Sequence, residues 1–207
     1  MKTLILALSF LLFPTMLQAT TDNNEKAGHP FSENYEVLEG KKRSKTPMVT
    51  EMFSIYCGGC YMWEQRTLTE LKTKLAQKNI PFQQGHVNFM GQYGEKVTIA
   101  LAIAQQTQHY DALKRIMFER IQKKRKDWSS DVDFFSTLQS TGFSEEDYNR
   151  HKSSMFVLKT LSDWQELQQS IQTVPSFIVN NKYLIKSQGI KSTDQFVELI
   201  EYLIKQP

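Results

Sequence analysis

The chain has 207 residues and carries 25 Lys and Arg side chains against 22 Asp and Glu, which gives a formal net charge of only +3. This near-neutral balance speaks against a nucleic-acid or anionic-surface binding protein. The length suits one domain, or one domain with an insertion. The only cysteines are Cys57 and Cys60, so any sulfur chemistry is confined to this pair.

The first 19 residues have the composition of a cleavable secretory signal. Lys2 supplies a short positive region, residues 4–13 are apolar, and Ala19 is a small residue before a polar stretch. No later run approaches the ~18 apolar residues that a membrane helix needs. We therefore expect residues 1–19 to be removed, which leaves about 188 residues in an oxidising compartment. A protein exported there with one cysteine pair uses the pair for chemistry.

A strand-to-helix junction is predicted at the cysteine pair. A short first strand is expected around Tyr35, and residues 48–54 are apolar enough for a buried strand. If Cys57 begins the next helix, Cys60 lies on the same face within disulfide reach. Unsatisfied N–H groups and the positive end of the helix dipole would then favour a thiolate at Cys57. Helical spacing along one face is carried by Tyr61, Leu68, Leu71 and Leu75.

The C-x-x-C spacing has several known uses. A c-type haem site needs a histidine after the second cysteine, where Tyr61 stands. A purely structural disulfide over so small a loop would constrain the unfolded chain least. The strand, the cysteine pair and the helix together favour a redox function. A zinc site would need further ligands, and the histidines lack finger-like spacing: His29, His86, His109 and His151.

Two acidic residues and two glycines flank the sulfur atoms. Glu51 is either an acid at a solvent-facing strand edge or a partly buried carboxylate that transfers a proton when the second sulfur is exchanged. Glu64 is either on a solvated helix face or close enough to oppose a thiolate at Cys57. Gly58 and Gly59 leave two N–H donors uncovered beside the sulfur and add no charge.

A further strand is predicted over residues 82–89, and helical spacing follows from Gly91. Ser130 and Ser144 each precede an Asp by three residues, as in a capping box, and Gly142 between them is a natural helix stop. This indicates a helical block of roughly seventy residues. Three apolar faces mark its helices: Val97, Leu101 and Ala104; Leu113, Ile116, Met117 and Ile121; Val132, Phe135 and Leu138.

The last part of the chain returns to strands. A longer helix marked by Phe156, Leu161 and Trp164 is expected to end near Gln172. Pro175 can only begin the next strand, because proline has no N–H for a sheet ladder. The remaining predicted elements are a strand over 176–179, a two-residue turn at Asn180 and Asn181, a strand over 182–185, and a final helix capped by Ser192.

This order of elements resembles the DsbA type of periplasmic thiol–disulfide oxidoreductase in the thioredoxin superfamily. The resemblance implies an α/β thioredoxin fold with an inserted helical domain. The thioredoxin domain would comprise residues 20–90 and 165–207, and the insertion residues 91–164. The motifs that carry the resemblance are Glu51 to Tyr61 with both cysteines, His86 to Gly91, Val174-Pro175, Phe177 to Tyr183, and Gln188-Gly189.

The resemblance also implies roles for individual residues. Cys57 would be the exposed nucleophile and Cys60 the buried resolving thiol. Pro175 would follow a cis bond beside the disulfide, and Val174 would offer its backbone to an extended substrate peptide. Glu51 and Glu64 match the acidic residues of the family near the site. The chain departs from the family where Gly58-Gly59 replaces a Pro-His dipeptide and where Gln84 replaces a lysine near the buried acids.

The implied function is the introduction of disulfide bonds into exported, unfolded proteins. Reoxidation would come from a DsbB-like membrane quinone reductase, with the Cys57–Cys60 disulfide as the only redox group, no metal, no nucleic acid and a monomeric enzyme. Two alternatives stay open: a periplasmic reductase or isomerase with a milder redox poise, and a redox-silent peptide-binding chaperone.

Overall fold

The computed structural model describes residues 29–207. The predicted signal, residues 1–19, lies outside the described residues. Residues 33–207 form one compact unit, and residues 29–32, in a separate unit, make a turn closed by the Ser32 N–H and the His29 carbonyl. The strands are β1 (Tyr35–Val37), β2 (Val49–Phe53), β3 (Phe82–His86), β4 (Ser176–Val179) and β5 (Tyr183–Ile185).

The helices cover most of the remaining chain. They are α1 (Gly58–Arg66), α2 (Leu68–Gln77), α3 (Gly94–Ala104), α4 (Tyr110–Phe118), α5 (Asp131–Gln139), α6 (Glu145–His151), α7 (Met155–Gln168) and α8 (Thr193–Lys205). A π-helical turn, Glu119–Lys123, continues α4. Among residues 29–207, no helix combines the length and the apolar character needed to cross a bilayer.

The five strands form one mixed sheet in the order β1-β5-β4-β2-β3. The β2 and β3 strands are parallel, and the other neighbours are antiparallel. All five residues of β2 are buried, as expected of a central strand that is covered on both faces. The register places Glu51 beside Gln84 of β3 on one side and Phe177 of β4 on the other. The predicted α/β thioredoxin fold with helices inserted between β3 and β4 is therefore confirmed.

The predicted hairpin near the C-terminus is also present. Asn180 and Asn181 have φ angles of 53° and 58°, but β5 begins at Tyr183, so Lys182 also belongs to the connection and the turn is one residue longer than predicted. Asparagine tolerates this left-handed region better than most residues, which explains the choice of side chain.

The helix after the cysteine pair differs from the prediction. The expected single helix is divided at Thr67, which ends α1 and precedes α2. Its φ and ψ of −127° and −35° are not helical, although the residues on both sides continue the same buried face. The leucines at 68, 71 and 75 are buried as predicted, and Tyr61 is half-buried. The apolar spacing is continuous across the break, so the pattern alone cannot reveal it.

Two helices of the helical block, α5 and α7, also differ from the prediction. Val132 is 81% exposed and Phe135 is only partly buried, whereas α5 buries Phe134 together with the predicted Leu138. Phe156 is 43% exposed, whereas the predicted Trp164 is buried, and α7 ends at Gln168 rather than near Gln172. In each helix one predicted residue is buried and the others give way to a neighbouring position, because neighbouring positions also have helical spacing.

The strand predicted over residues 82–89 ends early, at His86. The Val87 N–H still donates to the Phe53 carbonyl, but the chain then turns away and Phe89 is exposed.

The caps of the helical block are mostly as predicted. Ser144 and Asp147 form a complete capping box at the start of α6. Ser130 caps α5, but the Asp133 carboxylate binds Ser129 and Arg120 instead of closing a box. The proposed division into residues 20–90 with 165–207 and residues 91–164 stays a prediction, and its second boundary lies inside α7.

Candidate active site

The segment between β2 and α1 is held by hydrogen bonds at each residue. The Cys57 N–H donates to the Ser54 carbonyl, with an N–O distance of 3.1 Å, and the Tyr56 N–H donates to the Ser54 hydroxyl over 3.1 Å. The Ile55 N–H donates to Nε2 of His86, also over 3.1 Å. The end of the strand is therefore fixed before the chain reaches the first cysteine.

His86 is a neutral acceptor in this arrangement. Its Nε2 receives the Ile55 N–H, so the ring proton lies on Nδ1, 2.7 Å from the Thr98 hydroxyl. Thr98 in turn donates to the Gly94 carbonyl. Complete burial lowers the pKa of His86 to about 3, because a charged ring would be desolvated. The ring links α3 to the segment that carries Cys57.

Cys57 occupies the N-cap of α1. Its backbone is extended, and its sulfur accepts the Cys60 N–H over 3.2 Å. In the thiol form it also donates to the Val174 carbonyl, with an S–O distance of 3.2 Å. The pKa of Cys57 is lowered to about 6, chiefly by a hydrogen bond from the Cys60 thiol, with help from the N–H groups of Cys60 and Gly59 and against the effect of burial.

Cys60 has the opposite environment. It is only 1% exposed, and its thiol donates to the Cys57 sulfur. This donation and burial together raise the pKa of Cys60 well above that of an ordinary thiol, and the negative charges of Cys57 and Glu51 act in the same direction. Both cysteines are free in this structure, so the geometry is that of the reduced pair.

The expected cis bond between Val174 and Pro175 is present. A Cβ placed at Gly59 would lie 3.6 Å from Cδ of Pro175 and 3.7 Å from Sγ of Cys57, and one at Gly58 would lie 3.6 Å from Oε1 of Gln122. These are ordinary van der Waals distances. A Cβ can therefore be accommodated at both positions.

Glu51 is a buried carboxyl beneath the cysteine pair. It is 1% exposed, which rules out the solvent-facing alternative. Its Oε2 accepts from Nε2 of Gln84 over 2.8 Å. Burial raises the pKa of Glu51 to about 7, and the Gln84 hydrogen bond and the charge of Lys114 partly offset this. A carboxyl with this pKa can both give and accept a proton near neutral pH.

Glu64 lies neither on an open helix face nor against Cys57. Its carboxylate forms an ion pair with Lys114 of α4, with an N–O distance of 2.9 Å. Lys114 also donates to Oε1 of Gln84 over 2.7 Å. A lysine therefore lies near Glu51 and Glu64, and it comes from α4, where no site residue was predicted. The available signal was its helical spacing, since Lys114 precedes Met117 by three residues on a predicted apolar face.

Contacts from the helical block also hold the cysteine segment. Nε2 of Gln122, in the π-helical turn, donates to the Ile55 carbonyl over 2.8 Å. The Tyr56 hydroxyl donates to Asp127 over 2.9 Å and accepts the Tyr93 N–H over 3.2 Å. Neither Gln122 nor Asp127 was predicted to contribute, because both contacts join residues that are distant in sequence.

The structure thus brings most of the predicted site residues together. Cys57, Cys60, Gly59, Val174 and Pro175 meet at the N-terminus of α1, with Gly58 at its first position. Glu51 lies below Cys60, and Glu64 faces Lys114. Within residues 29–207, no three His, Cys, Asp or Glu side chains are grouped so that they could hold a metal ion.

Comparisons with known proteins agree with this geometry. The family model described as Thioredoxin matches residues 33–201. The thiol:disulfide interchange protein DsbA of Dickeya dadantii is 28% identical over the whole of both chains. DsbA of Salmonella typhi is 32% identical over 76% of this chain and 80% of its own. The crystal structure of DsbL from Salmonella enterica serovar Typhimurium is 26% identical, with a TM-score of 0.73 over 84% of this chain and 96% of that one.

Proposed function

This chain belongs to the DsbA-type thiol:disulfide oxidoreductases of the thioredoxin superfamily, and on that premise we propose that it introduces disulfide bonds into exported, unfolded proteins in the periplasm. The observation that carries the proposal is the difference between the two sulfur atoms. Cys57 is partly exposed with a lowered pKa, and Cys60 is buried with a raised one. A pair built in this way has one sulfur for substrates and one for resolution.

The reaction begins with the Cys57–Cys60 disulfide, which is the only redox group the proposal requires. A substrate thiolate attacks Sγ of Cys57, so a mixed disulfide forms and the electron pair of the broken bond passes to Cys60. Cys60 then takes a proton, because its pKa is raised. Glu51 is the group that donates this proton, since its pKa of about 7 keeps it partly protonated at neutral pH.

In the second step, another substrate thiolate attacks the substrate sulfur of the mixed disulfide. Cys57 leaves as a thiolate, and its low pKa makes it a good leaving group. The substrate is oxidised by two electrons and the enzyme is reduced by two. A DsbB-like membrane quinone reductase would then restore the disulfide, and the enzyme acts as a monomer.

Val174 and Pro175 are proposed to bind the substrate backbone. In the reduced thiol state the Val174 carbonyl accepts from Cys57. Once Cys57 is a thiolate or part of a disulfide it has no proton to donate, so this carbonyl is available to a substrate N–H. An extended peptide could then pair beside the cis bond in the manner of an added strand.

The test is single-turnover oxidation of a reduced dithiol peptide by the oxidised protein. The wild type should form one peptide disulfide per enzyme, whereas C57S and C60S should form none. C60S carrying a glutathione mixed disulfide at Cys57 should still react: a peptide thiolate attacks the glutathione sulfur, Cys57 leaves as a thiolate, and the glutathione passes to the peptide. Retained oxidation by C57S, or no transfer from C60S, would reject the assigned roles.

A reductase or isomerase is the second candidate, and the uncharged Gly59 beside Cys57 favours it. A pair that lacks a nearby cation stabilises its thiolate less and is a weaker oxidant. The equilibrium of the pair with glutathione, together with its redox state in cells, separates the two candidates. An oxidase is isolated with the disulfide formed, and a reductase with free thiols. A redox-silent chaperone is disfavoured, because it would need neither the lowered pKa of Cys57 nor the raised pKa of Cys60.

A further inference from the structure

A buried polar chain runs from β2 to the helical block. Glu51, Gln84, Lys114 and Glu64 are joined in that order by contacts of 2.8, 2.7 and 2.9 Å. Lys114 does not touch Glu51, and the side-chain amide of Gln84 lies between them. We propose that Lys114 is a positioning residue for the redox pair, which acts through the orientation of the Gln84 amide to favour the ionised form of Glu51.

The orientation of the amide follows from the chemistry of the ammonium group. Lys114 has three donors and no acceptor, so only the oxygen of Gln84 can face it. Lys114 is 2% exposed, which leaves little room for water to take the place of this oxygen. Nε2 of Gln84 is consequently directed at Glu51. The Gln84 amide therefore accepts a hydrogen bond from the Lys114 ammonium through its oxygen and donates one to Glu51 through its nitrogen.

This donor decides which form of Glu51 is favoured. A carboxylate accepts the Nε2 hydrogen, whereas a protonated carboxyl has less to gain from it. If the amide were reversed, Glu51 would face an oxygen and would need a proton to make a hydrogen bond. Loss of the charge at position 114 removes the reason for the present orientation. The uncharged carboxyl should then become the stable form.

Other charges near Glu51 cannot replace this contact. The charge of Glu64 raises the pKa of Glu51, but Glu64 is itself paired with Lys114. Lys72 lowers the pKa through space, and the negative charge of Glu51 acts on Cys60 and on the buried Tyr110. Asp111 lies 4.0 Å from the Lys114 ammonium and is mostly exposed. Of these described groups, only Lys114 is connected to Glu51 by hydrogen bonds, through the side chain of Gln84.

The inference rests on the proposed role of Glu51, but it can be tested separately. The test is an NMR titration of the Glu51 carboxyl carbon in the reduced, full-length protein, with labelled glutamate and with E51Q to assign the signal. K114M should raise the midpoint by at least about one pH unit, and K114R should leave it close to that of the wild type. K72M is the matched control, because it removes a nearby charge but no contact to the amide, and its shift should be less than half as large.

The amide is tested in a double-mutant cycle. In a Q84L background, K114M should shift the Glu51 midpoint by less than it does with Gln84 in place, since only the through-space effect of the charge remains. If K114M does not fold, K114A removes the same charge and the same donor. The inference is overturned if loss of the charge has no larger effect than K72M, or an equal effect with and without Gln84. Unchanged oxidation kinetics in E51Q would instead reject the proton transfer and leave the titration result standing.

Discussion

At the scale of single residues, Cys57 and Cys60 differ because they meet different partners. Cys57 receives hydrogen bonds from the N–H of Cys60 and from its thiol, and these stabilise negative charge. Cys60 is buried and has the Glu51 carboxyl nearby, which opposes negative charge. The same hydrogen bond between the two sulfurs therefore lowers one pKa and raises the other. In the proposed mechanism, Cys57 is for this reason the sulfur that substrates attack.

The dipeptide between the cysteines should control how oxidising the protein is. Gly59 can accept a side chain, and a histidine there would place a positive charge near the Cys57 sulfur. We expect G59H to lower the thiolate midpoint by about one pH unit or more and to shift the glutathione equilibrium toward the reduced enzyme. The change is measured by thiolate absorbance and by redox equilibration.

G59Q is the matched control, since it adds a side chain of similar reach without charge. Its midpoint should stay close to that of the wild type. Equal midpoints for G59H and G59Q would show that a charge at this position does not reach the sulfur.

Glu51 should make the stability of the reduced protein depend on pH. Its pKa in the fold is about 7 against an ordinary value of 4.5, so the folded state holds a proton that the unfolded state releases. The contribution is fully present below pH 4.5 and is lost as pH rises through about 7. Relative to E51Q, the wild type should lose up to about 3 kcal/mol of unfolding free energy over this window. Denaturant unfolding at a series of pH values measures it, and a constant difference between the two proteins would contradict it.

At the scale of elements, the site depends on the segment between β2 and α1 being held from the helical side. Gly91 contributes to this directly, because its backbone has a φ of 72° and packs on the ring of Tyr56. A Cβ at this position would lie 2.2 Å from Cζ of Tyr56. We expect G91A to lower the unfolding free energy by about 2–4 kcal/mol, from backbone strain and overpacking together, as measured by denaturant unfolding.

The chain offers a close control for G91A. Gly40 has the same φ of 72°, but a Cβ there would meet nothing within 4 Å. G40A should therefore show only the backbone term of about 1–2 kcal/mol. If the two variants were equally destabilised, the contact with Tyr56 would not matter for stability.

The elements around the cysteines could be predicted because their causes are local. The apolar run of β2, the cap at Cys57 and the Asn180-Asn181 turn each depend on neighbouring residues. The break at Thr67 and the exposed face of α5 could not be predicted in this way. Packing from distant parts of the chain selects the buried face, and the sequence pattern allows more than one choice.

At the scale of the whole molecule, the site is assembled from parts that are far apart in sequence. Val174 and Pro175 reach Cys57 across more than a hundred residues, and Lys114 enters from the helical block. Family resemblance predicted the first contact. It also placed Gln84 where the family has a lysine near the buried acids, and in this structure Lys114 of α4 contacts both Gln84 and Glu64. The lysine beside these acids therefore comes from the helical block and not from β3.

The central claim is that the fold makes Cys57 far more acidic than Cys60, and thiolate absorbance of the reduced protein during a pH titration tests it most directly. The account predicts one group with a midpoint of about 6, absent in C57S and moved upward in C60A, where the donating thiol is missing. A midpoint near ~8.5, the value of an ordinary thiol, would contradict the account.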